Sequence, residues 1–251
     1  MNLRSIIRIP IKFIHISELK KHLSKQSHQA CLKHGGLEFE VEGYTISDFI
    51  LKKLIPIVGF HPYPLNELCL MVSSLCRLQP THIFEWGTHV GKSARIFHES
   101  KKCFGINTEI HSIDLPDDVE HEEHPHKHRA HYVKHIEDVK LYQGDGVSTA
   151  MEICATIKGK INPLFYIDGD HEYTSVLREL KIIHENVDNA NILLHDTFYQ
   201  TSESGYNVGP FLAIQEFLNT FPNKYKRIDS QLGLPGMTLL YQDLRRGNSR
   251  E

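Results

Sequence analysis

From residue 81 onward, short apolar runs alternate with stretches whose apolar positions recur every three or four residues. "THIFEW" (81–86), "EIHSIDL" (109–115), "VKLYQGD" (139–145), "PLFYIDG" (163–169) and "NILLHD" (191–196) read as five strands. The fourth is almost continuously apolar, as in a sheet covered on both faces. Between the strands, "VGKSARIFHES" (90–100) reads as a helix. So do the stripes Val147, Ala150, Met151, Cys154 and Ile157, and Val176, Leu180, Ile183 and Val187. Gly209 and Pro210 open a last helix carrying Phe211, Ile214, Phe217, Leu218 and Phe221. "YKRID" and "MTLLYQ" flank the turn "SQLGLPG", an antiparallel hairpin. This order predicts an α/β fold: a doubly wound, mostly parallel, seven-stranded sheet ending in that hairpin. The apolar helix 65–78 leads into the first strand. Residues 1–60 read as a helical N-terminal extension, a cap or oligomerisation segment, with residues 61–251 as the main domain.

In such sheets ligands bind beyond the carboxyl ends of the strands, where strand order reverses. That narrows the chemistry to residues 85–91, Asp114, Asp145, residues 168–171 and the pair His195 and Asp196. Composition removes several other options. The 251 residues are 40% hydrophobic and 24% charged, ordinary for a globular domain. A formal net charge of -3 gives no bulk attraction to nucleic acid or an anionic membrane. No stretch approaches the roughly 18 apolar residues of a membrane span. The apolar runs at the N-terminus are broken by Arg8, Pro10, Lys12 and His15, so no signal peptide is expected. Five cysteines without a CxxC pair suit reduced thiols in a cytoplasmic setting.

"EWGTHVGKS" resembles a phosphate loop, but three residues separate Gly87 from Gly91 where that loop needs four. A shorter loop cannot wrap a β-phosphate with its backbone amides in the same way. Glu85, two residues before the first glycine, is also ill suited to polyphosphate. It suits a ligand with a positive group, and S-adenosylmethionine carries an ammonium, a sulfonium and two ribose hydroxyls. Gly87, Thr88 and Gly91 would allow close approach of its amino-acid tail. Ser93 and the amides at the helix start would take the tail carboxylate. Asp114, ending the second strand, is placed to accept ribose hydroxyls.

Taken in order, "EWGTHVGKS", "HSIDLP", "YQGDGV", "FYIDGDHEYTSV" and "LLHDTF" resemble the successive strand-end motifs of class I S-adenosylmethionine-dependent methyltransferases. The nearest branch is that of small-molecule O-methyltransferases of catechol and macrolide-sugar type, and the likeness spans roughly residues 65–242. It implies methylation of a hydroxyl on a small molecule or sugar. It places Asp145 and Gly146 at the adenine, although Gly-Asp-Gly is equally a common turn. It implies a divalent metal (magnesium, manganese or iron) held by Asp168, His195 and Asp196, with His195 standing where an acid often stands. A long insertion after the second strand departs from the family.

The chemistry itself needs a proton acceptor, and neutral imidazole is a good one near pH 7. His171 is the expected base, with Asp168 beside it and His195 as ligand or orienter. "HEEHPHKHRAHYVKH" (121–135) holds six of the 18 histidines and reads as a solvated loop or a lid over the cofactor. "YQTSESGYNVGP" (199–210), with Tyr199, Ser202, Tyr206 and Asn207, reads as an acceptor-binding loop. Lys92 is expected to face solvent. The rival classes are a phosphate-loop kinase or NTPase, and a metal-dependent enzyme or binding protein that keeps this fold without methylating.

Overall fold

The computed structural model describes residues 42–120 and 126–242. Three short helical pieces come first: α1 (Gly43–Phe49), a π-helical turn (Ile50–Leu54) and α2 (Ile55–Val58). Then follow α3 (Leu65–Leu78), β1 (His82–Trp86), α4 (Lys92–Phe104), β2 (Glu109–Asp114), β3 (Val139–Gln143), α5 (Gly146–Thr156), β4 (Pro163–Ile167), α6 (Tyr173–Asn186), β5 (Asn191–His195), α7 (Val208–Thr220), β6 (Lys226–Ser230) and β7 (Met237–Tyr241). The strands form one seven-stranded sheet in the order β3-β2-β1-β4-β5-β7-β6. Five strands are parallel, and β7 runs antiparallel to both β5 and β6. Each expected strand is present, because short β-branched runs bounded by turns leave little alternative in this pattern.

Side chains alternate across the sheet and build two cores. Ile83, Ile110, Leu164, Tyr166, Leu193 and Leu239 pack against α3 and α4. Phe84, Trp86, Ile113, Phe165, Ile192 and Leu194 pack against α5, α6 and α7. Ile46, Phe49, Ile50, Leu54 and Val58 join the first core, so residues 42–58 share it with α3 and α4. On α7, Pro210, Ala213, Ile214 and Phe217 are buried, and Leu218 and Phe221 of the expected stripe pack against the second core. Phe211 instead stacks on Tyr199, ring centres 4.3 Å apart.

Strand order reverses between β1 and β4. β2 and β3 lie to one side of this pair, and β5, β7 and β6 to the other. The loops leaving β1 and β4 therefore meet at the switch point. Their approach is so close that a Cβ on Gly87 (φ +89°) would lie 2.0 Å from the Asp168 carbonyl oxygen. No described helix is long and apolar enough to cross a membrane.

Candidate active site

The β1 loop is organised around Glu85. It shares a sheet face with Ile83, directed at the α4 side, and is 1% exposed. Its Oε1 accepts a hydrogen bond from Ser112 Oγ on β2 at 2.5 Å. Ser112 Oγ is also 2.7 Å from Thr88 Oγ1. Oε2 is buried and has no hydrogen-bond partner. Burial pushes the Glu85 carboxyl up to about 7, against the pull of the Ser112 and Ser93 hydroxyls. Ser93, in the first turn of α4, is itself buried. A cationic group at the glycine turn would meet a carboxylate oxygen already stripped of water.

Gly87 and Thr88 donate backbone hydrogen bonds to the Ile113 carbonyl, tying the turn to the end of β2. Asp114 closes the same corner. Its Oδ2 accepts from the His89 amide at 3.0 Å, and its Oδ1 from its neighbour Leu115 at 3.0 Å. Arg129 Nε stands 3.5 Å from Oδ2. The described part of the histidine-rich segment folds back here. Ala130 and Tyr132 donate to the carbonyls of His89 and Val90, and Arg129 donates to the Leu115 carbonyl. A Cβ on Gly91 (φ +83°) would meet Val133 Cγ2 at 2.8 Å. Residues 129–133 thus cover the glycine turn, and the rest of the expected lid, 121–125, lies outside the described residues.

Asp145 is the N-cap of α5. Its Oδ1 accepts from the Ser148 amide at 3.0 Å, and Oδ2 from Arg178 Nη2 at 2.7 Å. Burial alone would raise its carboxyl, but Ser148 and Arg178 outweigh burial and lower it. Gly146 has a packing reason to be glycine, since a Cβ would lie 2.3 Å from Trp86 Cγ. Lys92 is half-buried rather than solvent-facing. Its ammonium donates to the His61 carbonyl at 2.6 Å and lies 5.6 Å from the Tyr132 ring centre. A phosphate-loop lysine would have to reach the ligand, so this lysine does not serve that chemistry.

The second half of the site is a charged cluster at the ends of β4 and β5. Tyr166 and Asp168 are two residues apart and share a face, which lets Tyr166 Oη donate to Asp168 Oδ2 at 3.0 Å. Tyr63, from the segment before α3, donates to the same oxygen at 2.8 Å. Asp168 Oδ1 faces His195 Nδ1 at 3.0 Å and His171 Nε2 at 3.8 Å. Consecutive strand residues point to opposite faces, yet His195 and Asp196 both face this centre. Asp196 adopts φ 56°, and the left-handed turn swings its Oδ2 to 3.4 Å from His195 Nδ1. Asp196 Oδ2 is also 2.9 Å from His171 Nε2, and Oδ1 accepts from Tyr206 Oη at 2.7 Å.

The far side of His195 is held by Glu67. His195 Nε2 is 3.0 Å from Glu67 Oε2, and Glu67 Oε1 accepts from the Gly236 amide at 2.7 Å. Glu67 is 0% exposed and His195 5%. Sequence reasoning missed Glu67, although a signal existed: it occupies the same helical stripe as the fully buried Met71 and Leu75. Tyr63 left no such trace, because only the tertiary structure carries it to Asp168.

These contacts set the ionisation. Burial works against charge on each group, but the neighbours outweigh it. His195 is held well above the ordinary histidine range by Asp168, Asp196 and Glu67. Asp168 and Asp196 raise His171 to about 10. His195 and His171 in turn hold Asp168 down at about 2 and Asp196 well below the carboxylate range. The two carboxylates beside His171, the expected base, favour its protonated ring. The loop 199–210 reaches the centre. Tyr206 bonds Asp196, and Asn207 Nδ2 is 3.4 Å from His171 Nδ1. Ser202 is exposed. An open cleft bordered by Gly169, His171, Tyr173, Asn207 and Leu212 lies against the cluster.

The switch-point site and the antiparallel β7 place the chain in a recognisable class of doubly wound proteins. It is similar in fold to the Podospora anserina methyltransferase PaMTH1 with S-adenosylhomocysteine bound. The identity is 16% over 96% of this chain and 100% of that one, with a TM-score of 0.51. An O-methyltransferase from Bacillus cereus in complex with S-adenosylhomocysteine is likewise similar. It is 11% identical over 90% of this chain and 97% of its own, with a TM-score of 0.51. Within that class, the model of the rhamnosyl O-methyltransferase/CmcI family matches residues 62–235, and the chain belongs to that family. Rhamnosyl O-methyltransferases of Mycobacterium tuberculosis and Mycobacterium bovis are 27% identical over 165 residues. That stretch is 61% of this chain and 61% of theirs, so the chain spans about three-fifths of the length of these curated relatives.

Proposed function

We propose that the protein is an S-adenosylmethionine-dependent O-methyltransferase acting on a hydroxyl of a small molecule, a sugar in particular. One observation carries the reading. A buried carboxylate with an unpartnered oxygen, Glu85 Oε2, lies beneath a glycine turn next to the carboxylate of Asp114. This arrangement suits a ligand with an ammonium and vicinal hydroxyls, and gives nothing to a polyphosphate. Family membership supports the same chemistry, and the naming of the mycobacterial relatives supports a sugar acceptor.

In this reading Glu85 takes the ammonium, Gly87, Thr88, Gly91 and Ser93 take the methionine tail, and Asp114 takes the ribose. The bound cofactor supplies an electrophilic methyl group. Asp145 and Gly146 border the adenine end. The cluster after β4 and β5 fits a divalent cation: Asp168, His195 and Asp196 place one donor atom each within reach of one ion. When bound, such an ion acidifies an acceptor hydroxyl. Tyr63, Tyr166 and Tyr206 hold the outward oxygens of the two aspartates, and the loop 199–210 orients the acceptor. Fixing donor and acceptor in line removes much of the entropic barrier. A cytoplasmic setting and self-association through the N-terminal segment complete the reading.

Calorimetric titration with S-adenosylmethionine tests it, with ATP as the comparison. Binding of the first and not the second is expected, and Asp114→Ala should weaken it at least about tenfold, the loss of charge-assisted hydrogen bonds. No heat with S-adenosylmethionine from folded protein overturns the proposal.

A further inference from the structure

We infer that the metal centre proposed above takes a transition-metal ion in preference to magnesium, with Glu67 as the residue that orients its ligand His195. This rests on the reading of Asp168, His195 and Asp196 as a metal site. It adds the identity of the ion and one residue that the reading does not use.

The first observation is the Glu67 contact. A buried carboxylate that is itself pinned by the Gly236 amide holds His195 Nε2 at 3.0 Å. Nε2 must then carry the hydrogen, and Nδ1 is the nitrogen presented to Asp168 and Asp196 at 3.0 and 3.4 Å. Metal-bound histidines have this arrangement, with the second ring nitrogen donating to a carboxylate that sets tautomer and orientation. An ion at Nδ1 takes the place of the proton that Nδ1 shares with Asp168.

The second observation is the spacing of the three donors. Asp168, His195 and Asp196 offer one ligand atom each, and these atoms lie within 4.8 Å of one another. His195 Nδ1 stands 3.0 Å from Asp168 Oδ1 and 3.4 Å from Asp196 Oδ2. Donors about 2.1 Å from a common ion stand roughly 3.0 Å apart at a right angle and about 3.4 Å apart at a tetrahedral angle.

The third observation concerns the carboxylates. Asp168 Oδ2 is taken by Tyr63 and Tyr166, and Asp196 Oδ1 by Tyr206. Each aspartate therefore has one oxygen left for the centre. One imidazole nitrogen and two single carboxylate oxygens form a mixed donor set. Magnesium prefers six oxygens, whereas imidazole suits zinc, iron and their neighbours.

The experiment uses the full chain stripped by chelation and titrated with cobalt(II), read by visible absorption, with magnesium as competitor. Ligand-field bands saturating at one equivalent and surviving a hundredfold excess of magnesium are expected. Glu67→Gln should weaken cobalt binding by about 10–100-fold, the usual loss for an orienting partner. Affinity for S-adenosylmethionine, measured by calorimetry on the same variant, should stay within a few-fold and reports that it folds. Absence of bands, displacement by equimolar magnesium, or wild-type cobalt affinity in Glu67→Gln overturns the inference. S-adenosylmethionine binding without cobalt bands refutes this inference alone. Cobalt bands without S-adenosylmethionine binding refute the methyltransferase reading and leave the metal centre standing.

Discussion

Glu85→Gln should make the empty protein more stable at pH 8 while crippling cofactor binding. The Glu85 carboxyl is raised from an ordinary 4.5 to about 7, chiefly by burial. Above pH 4.5 the unfolded chain releases this proton while the folded protein keeps it. Stability therefore falls as pH rises from about 4.5 to about 7, and the loss is complete above that. The loss at pH 8 is roughly 3 kcal/mol. Glutamine stays neutral, and its Oε1 can still accept the hydrogen bond from Ser112. Its amide would occupy the place of the unpartnered Oε2 and cost about 1–2 kcal/mol as an unsatisfied donor. The net gain at pH 8 is about 1–2 kcal/mol, or roughly 2–8 °C in Tm for a chain of this size. Near pH 5 wild type is protonated and the gain should vanish. Thermal unfolding of both proteins at pH 5 and pH 8 reads this directly, and calorimetry with S-adenosylmethionine reads the functional loss. A variant less stable than wild type at pH 8, or equally favoured at both pH values, would refute the electrostatic reasoning. Unchanged cofactor affinity would refute the ammonium assignment.

Two further substitutions probe the corners of the site. Gly87→Ala forces a Cβ to within 2.0 Å of the Asp168 carbonyl at a positive φ, and should cost about 2–5 kcal/mol and lower Tm by roughly 5–20 °C. Wild-type melting would show that the β1 and β4 loops do not meet as described. Asp145→Ala removes the N-cap of α5 and should cost about 1 kcal/mol by chemical unfolding. If Asp145 also contacts adenine, S-adenosylmethionine affinity falls with it, and unchanged affinity returns this residue to a purely structural cap.

Much of the fold was legible because the relevant patterns are local. "PLFYIDG" is apolar over five consecutive positions, and β4 occupies those residues, Pro163–Ile167. The turn "SQLGLPG" separates β6 from β7 as expected. The acids at strand ends were legible for a related reason: charge at the end of a buried strand is costly without a partner, so Asp168 and Asp196 stood out. Less legible were residues whose role depends on distant partners. Lys92 lies one residue after a glycine turn, but its carbonyl partner belongs to His61 in the segment before α3. His171 stands three residues after Asp168 in the chain, but its nearer carboxylate, Asp196 at 2.9 Å, comes from the end of another strand.

By itself the sequence determined the alternation of strands and helices, the hairpin at the end, and the set of strand-end residues that chemistry could use. These follow from hydrophobic period, turn composition and the cost of burying charge, all expressed within a few residues. Only the tertiary structure decided the strand order, and with it the meeting of the Gly87 turn with the Asp168 loop. It also decided that Glu67, 128 residues before His195 in the chain, is the carboxylate behind that imidazole. The physical reason is that periodicity fixes which way a side chain faces within its own element. What it meets there depends on how the elements pack in space.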